Sequence, residues 1–168
     1  MANSKIISDI KDKIIKGLIS DNEIVSAIGA PSIDPDEADQ LIGKYIFRYN
    51  QNPNTIKQAE TFITVLVDIV QDFYNKGFVI ANIEIGIYSH ESQMNIREKP
   101  WIIDNRNDYL SILIDKKFNG KFLAGYGQMI LYDNREGSLI TDYLYRRMTF
   151  NISDINDSFC DDQDEVDY

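Results

Sequence analysis

The hydrophobic period of this chain changes near residue 61, and that change limits the folds it can adopt. Between Ser4 and Ile19, apolar residues recur at the spacing of one helical face, which predicts an amphipathic helix. From residue 61 the period becomes two, because TFITVLVDI (61–69) and FVIANIEIGIYSH (78–90) alternate across two faces. Both runs are rich in β-branched residues and predict strands. The fold must therefore combine helices with a sheet.

The remaining elements are predicted from caps, turn residues and shorter periodic runs. A second, short helix is predicted over 22–28, and a third helix over 105–119. Two further strands are predicted over 124–132 and 142–152, with the sequence DNREG at 133–137 as the turn of a hairpin. This order, α-α-β-β-α-β-β, favours an α+β fold: a mostly antiparallel four-stranded sheet packed against helices.

The chain length fits one domain. We predict a single α+β domain over residues 1–153, followed by an acidic C-terminal tail over 154–168. Within the domain, helices occupy 4–29, an irregular segment with three prolines occupies 30–60, and the sheet and third helix occupy 61–153. Long irregular segments often form contacts, so 30–60 is predicted to be a contact segment.

The charge of the chain is concentrated at one end. The formal net charge is −10, and residues 154–168 contribute seven acids and no Lys or Arg, which leaves −3 for the rest. Neither part has the broad basic footprint that binding to nucleic acid requires. The one cysteine, Cys160, rules out an intrachain disulfide and fits a reducing compartment. We see no signal peptide and no apolar run long enough to span a membrane.

Two patterns in the sequence could contribute to a catalytic site. His90 follows Ser89, but a neighbouring Ser–His pair does not by itself provide the geometry of a catalytic triad. Asp68, Asp72 and Glu84 could hold a divalent cation, as in a metal-dependent hydrolase. Alternating strands place Asp68 and Glu84 on the solvent side more simply, so the hydrolase is the minor alternative.

Phosphate-binding patterns are weak in this sequence. The glycines at 125 and 127 form an isolated G-x-G without a third glycine at the start of a helix, and are interpreted as a bulge or bend in the third predicted strand. We therefore expect no enzyme activity, no cofactor and no catalytic, cofactor-binding or metal-binding residues.

Aromatic residues point instead to contacts between proteins. The chain has ten Tyr and eight Phe, and Tyr is enriched at interfaces because its ring is apolar and its hydroxyl forms hydrogen bonds. Alternation in the last strand places tyrosines on one face and Leu144 and Met148 on the other. We predict a subunit interface that includes six residues: Trp101, Tyr126, Tyr143, Tyr145, Arg146 and Arg147.

Several local phrases resemble a known family. They are RNDYLSILIDKKFNG (106–120), the preceding IEIGIYSH (83–90), the following pair GYGQMILYDN and YLYRRMTFNI, and the upstream DQLIGKYIFRYNQNPNT. Together with the order of elements, they resemble the tail-terminator and tail-completion proteins of tailed bacteriophages, the head–tail joining proteins of the neck. The resemblance covers residues 36–156.

The resemblance implies a structural role in the virion. Such proteins assemble in the host cytoplasm into a closed, hexameric homo-oligomeric ring at the neck, which joins the tail tube to the head. The implied partners are copies of the chain itself, the tail tube protein, a head-completion or connector protein and, in some tails, the sheath. DNA would pass through the ring without specific binding. A head-side connector or a baseplate adaptor with a similar fold is the alternative.

Overall fold

The computed structural model describes most of the chain up to Asn156. The described residues are 4–29, 35–53, 60–72, 74, 77–96, 99, 101, 103–139 and 142–156. Cys160 and the acids beyond Asn156 lie outside them, as does part of the predicted contact segment 30–60. No helix in the described part is long and apolar enough to cross a membrane.

Three α-helices form where the sequence predicts them. They are α1 (Ser4–Ile19), α2 (Asn22–Ile28) and α3 (Arg106–Phe118). The carboxylate of Asp21 caps α2 by accepting hydrogen bonds from the first-turn backbone at 3.1 and 3.3 Å. Gly29 ends the same helix with φ of 69°, the left-handed conformation that glycine adopts without strain. Two 3₁₀ helices, Pro35–Leu41 and Glu91–Gln93, are also present.

The main sheet has five strands where four were predicted. Its order is β1-β2-β3-β7-β6, and only β1 runs parallel to its neighbour. The added strand is β1, only two residues long, because it pairs just Ile46 with Ile63 and the next residue with Thr64. The strands of this sheet are β1 (Ile46–Phe47), β2 (Thr61–Gln71), β3 (Phe78–His90), β6 (Ile130–Ser138) and β7 (Tyr143–Asn156).

The prediction for residues 124–137 was wrong in two places. A small hairpin of β4 (Phe122–Leu123) and β5 (Gly127–Gln128) comes first. Gly125 lies in its turn and Gly127 begins β5, both with positive φ, so the two glycines are not a bulge or bend within one long strand. The DNREG sequence lies inside β6, not in a turn. Its polar residues suit an edge strand, where solvent reaches the side chains, so composition typical of a turn was misleading.

The core lies between the helices and one face of the sheet. Alternate residues of the central strands point toward α1 and α3 and are buried there, among them Ile63, Val65, Ile83, Ile85, Ile87, Met148 and Phe150. The amphipathic stripe of α1 packs against them through Ile10, Ile14 and Leu18. The predicted placement of helices on one side of a mostly antiparallel sheet is confirmed.

Candidate subunit interface

The face of the sheet opposite α1 and α3 carries a row of aromatic rings, and we call it the aromatic face. Phe62 of β2 stacks on Tyr88 of β3 with centroids 4.9 Å apart and planes 8° apart. Phe47 meets the Phe62 ring edge-on at 5.9 Å, and Tyr143 lies 5.8 Å from it. These rings form a second buried cluster, separate from the main core. The row follows from strand register, since Phe62, Tyr88 and Tyr145 occupy consecutive paired positions.

Arg147 lies on the same face and is held by two tyrosines. Its guanidinium stands 4.7 Å above the Tyr145 ring and is hydrogen-bonded to the Tyr88 hydroxyl. Burial lowers the pKa of Arg147, but the bond to Tyr88 and the charge of Glu84 outweigh it, so the pKa is raised. The Nε atom lies 3.9 Å from Glu84 Oε1, beyond hydrogen-bond distance. Arg147 is therefore a fixed, partly exposed cation.

Arg146 points the opposite way, toward α3. One guanidinium nitrogen pairs with the Asp108 carboxylate, and the same nitrogen lies 3.0 Å from Glu136 Oε2. The other donates to Asn134 Oδ1 at 3.1 Å. Alternation along β7 thus places the two arginines, both predicted to lie in one interface, on opposite faces of the sheet. Arg146 is engaged in contacts within its own subunit.

The other predicted interface residues fall into three environments. Tyr143 is buried in the aromatic cluster, and Tyr145 is half-buried beside it. The Tyr126 hydroxyl donates to Asp9 of α1 at 2.6 Å, which fixes the β4–β5 hairpin to the helix. Trp101 is 73% exposed and, with the fully exposed Ile103, leaves apolar surface on the loop before α3. Of the predicted set, Trp101 and Arg147 offer the most accessible contact groups.

β6 is an edge strand of the five-stranded sheet, and no strand of the described residues pairs with its outer side. Ile130 and Tyr132 lie at its start and are 47% and 76% exposed. The Leu131 N–H donates to Asn119 Oδ1 at 2.9 Å, and the rest of this nine-residue edge strand presents backbone donors and acceptors to which another chain can add. Charged residues at 133, 135 and 136 occupy the rest of the strand, a common protection against unspecific pairing. By contrast, β7 is paired with β3 on one side and, from Leu144 to Asn151, with β6 on the other, so this part of the strand has no open edge.

The residues considered for catalysis are placed apart. Ser89 is buried toward the helices, whereas the His90 ring lies edge-on to Tyr143, with Nδ1 2.8 Å from Ser92 Oγ. Asp72 accepts a hydrogen bond from the Tyr74 backbone in a turn. Among the described residues, no three His, Cys, Asp or Glu side chains, including Asp68 and Glu84, are grouped so that they could hold a metal ion.

Sequence reasoning missed two residues that position α3. Arg106 is buried and donates to the carbonyls of Ala27 at 2.5 Å and Gln93 at 2.7 Å. Asn107 bonds to β3 and β7. A signal existed for Arg106: a cation in the first turn of a helix is unfavourable beside the positive end of the helix dipole, so it needs a tertiary reason.

A family model named YomW matches residues 21–152, which include α2, α3 and nearly all of the sheet but not α1. The chain belongs to the YomW family. This YomW chain is also similar in fold to a chain from a structure described as the virion of a native gene transfer agent particle, with a TM-score of 0.57 and 8% identity. That similarity covers 87% of this chain and 94% of the other. A search of curated proteins gave no significant match.

Proposed function

We propose that this YomW protein is a structural subunit of a phage-like virion. The observation that carries the proposal is the fold shared with a chain of the gene transfer agent virion over 94% of that chain's length. The match to the YomW family model over most of the chain also supports a role as a virion subunit. A virion subunit works through contacts with other virion proteins, so the surfaces of the sheet and its loops are its functional parts.

Within the virion, we place the protein at the neck as a tail-terminator or tail-completion subunit in a closed ring. The motif resemblance over residues 36–156 favours this position, and the exposed edge of β6 supports oligomer formation. A ring needs a head-to-tail interface in which two different surfaces of one subunit meet. The β6 edge, with Ile130 and Tyr132, would supply one surface, and the loop that carries Trp101 and Ile103 would contribute further apolar contact.

The ring role requires binding to a tail tube. Purified protein should be mixed with polymerised tail tube protein and imaged by negative-stain electron microscopy. We expect added density at one end of each tube and a block to further tube growth. Density along the whole tube, or tubes that grow as before, would contradict the neck position. Binding to an isolated portal ring instead of the tube would support the head-side connector.

A further inference from the structure

A cleft of about 360 Å³ opens on the aromatic face beside Arg147. One wall is the segment Asn50–Pro53, which carries three side-chain amides, and the other is formed by Tyr88, Leu139 and Arg147. Amides and a guanidinium are hydrogen-bond donors, and the planar guanidinium matches a carboxylate in a two-point contact. The lining therefore favours a ligand that carries carboxylates.

The guanidinium of Arg147 is already held in a fixed position in which it can bind such a ligand. Stacking on Tyr145 and the bond to Tyr88 fix its guanidinium, so little conformational entropy is lost when an anion binds. Arg147 is also directly opposite Arg135 in the β6–β7 register. Two like charges directly opposite each other destabilise a sheet. Here Arg135 is paired at 2.6 Å with Asp133, and the Arg147 Nε atom lies 3.9 Å from Glu84 Oε1.

We propose that the cleft binds the acidic segment 157–168 of a second copy of this chain. The segment contains no Lys or Arg, and its charge complements Arg147. It includes Asp157, Asp161, Asp162, Asp164, Glu165 and Asp167. The proposal deepens the proposed function, because the neighbour in the ring is the donor of the segment.

Chain length favours a neighbour over the same copy. Asn156 ends β7 nine residues after Arg147, a distance of about 30 Å along an extended strand. Asp161 and Asp162 follow Asn156 by five and six residues, so they reach back at most about 21 Å. Glu165 and Asp167 lie nine and eleven residues after Asn156 and can span the distance back to Arg147, but Asp161 and Asp162 cannot, so only a second copy can present the whole acidic segment to one cleft.

The test uses full-length protein whose six acids at 157, 161, 162, 164, 165 and 167 are changed to Asn or Gln. A fluorescent peptide of residues 157–168 is titrated into it, and anisotropy is recorded at low and moderate salt. We expect saturable binding that weakens with salt. Arg147→Met keeps the aliphatic stem, and we expect it to weaken binding about tenfold. Lys116→Met removes an equal charge on α3, on the opposite side of the sheet, and should leave binding unchanged.

Two further measurements test the proposal without changing any residue that lines the cleft. A peptide with the same acids neutralised should not bind, and if it binds as well as the acidic peptide, the proposal is overturned. The mass of wild-type protein by light scattering should fall when the segment is neutralised. If the acidic peptide binds but that mass is unchanged, the segment docks within its own copy and the second-copy assignment is wrong. If rings form normally but no peptide binds, the cleft proposal fails while the proposed function stands.

Discussion

The Ser89 hydroxyl donates a 2.7 Å hydrogen bond to the side-chain oxygen of Asn107. This buried contact joins β3 to the first turn of α3. The amide nitrogen of Asn107 donates to the Leu144 carbonyl of β7 at 3.1 Å, and Thr61 of β2 lies 2.8 Å from Ser89 Oγ. Three strands and a helix therefore share one polar network. Ser89, considered with His90 as a catalytic pair, is a residue that positions α3.

Asn107→Ala should destabilise the protein strongly. The substitution leaves the Ser89 hydroxyl and the Leu144 carbonyl without their amide partner, and a buried unpaired polar group costs about 1–3 kcal/mol. We expect the free energy of unfolding in urea to fall by about 2–3 kcal/mol. Asn95→Ala, at an exposed position, is the control and should change it by less than about 0.5 kcal/mol. Equal effects of the two substitutions would contradict the structural role of the network.

Arg106→Met should weaken the contact between α2 and α3 and lower the free energy of unfolding. The guanidinium bridges the Ala27 and Gln93 carbonyls, and a Cβ at Gly29 would stand 2.6 Å from its Nη1 atom, so the site is closely packed. Methionine fills part of the volume of the arginine side chain but cannot donate hydrogen bonds to the two carbonyls. We expect a loss of about 2–4 kcal/mol in urea unfolding. The matched control, Arg135→Met, changes an arginine whose side chain is 77% exposed and should cost less than about 1 kcal/mol. A similar loss in both variants would refute the bridging role.

Tyr126→Phe should have an effect that depends on pH. The hydrogen bond from Tyr126 lowers the pKa of Asp9 below its usual value, and burial opposes it while Lys13 adds to it. A lowered pKa in the folded state means that this contact stabilises fully above pH 3.8 and is lost as pH falls through the folded pKa.

Urea unfolding should therefore show a loss of about 0.5–1 kcal/mol for Tyr126→Phe at pH 7, and a smaller loss near pH 3. Tyr132→Phe, on the exposed edge strand, provides the same chemical change without an Asp9 contact. An equal loss for Tyr126→Phe at both pH values would show that the Asp9 contact is not responsible.

The helices and central strands could be predicted because local signals agree with the final packing there. Asp21 and Gly29 mark the two ends of α2, and the β-branched alternation of β2 and β3 fixes which face is buried. Such elements need no information from distant residues.

The region after α3 could not be predicted in the same way. The DNREG sequence has turn chemistry, yet β6 continues through it because β7 pairs with these residues and Tyr145 covers Gly137, where a Cβ would lie 2.6 Å from the ring Cζ. Tertiary contact outweighs local preference at an edge. Arg146 and Arg147 are both predicted interface residues because they are neighbours in the sequence, but adjacent residues of a strand point to opposite faces.

The β6 edge should control assembly without controlling folding. Ile130→Lys with Tyr132→Lys places two charges on exposed positions of the edge strand, where they oppose addition of another chain. We expect the double variant to lose self-association by light scattering while its free energy of unfolding changes by less than about 1 kcal/mol. Tyr74→Lys, at a 97% exposed tyrosine in the β2–β3 turn, is the control and should assemble normally. Normal assembly of the double variant would exclude this edge as an interface.

A ring of identical subunits is the proposed functional form of the protein. Light scattering coupled to size exclusion, with and without tail tube protein, measures this directly. We expect either a closed ring of several copies of the 19.4 kDa chain, or a monomer that forms such a ring only when the tube is present. A monomer at every concentration, with no change in mass when tube protein is added, would contradict it.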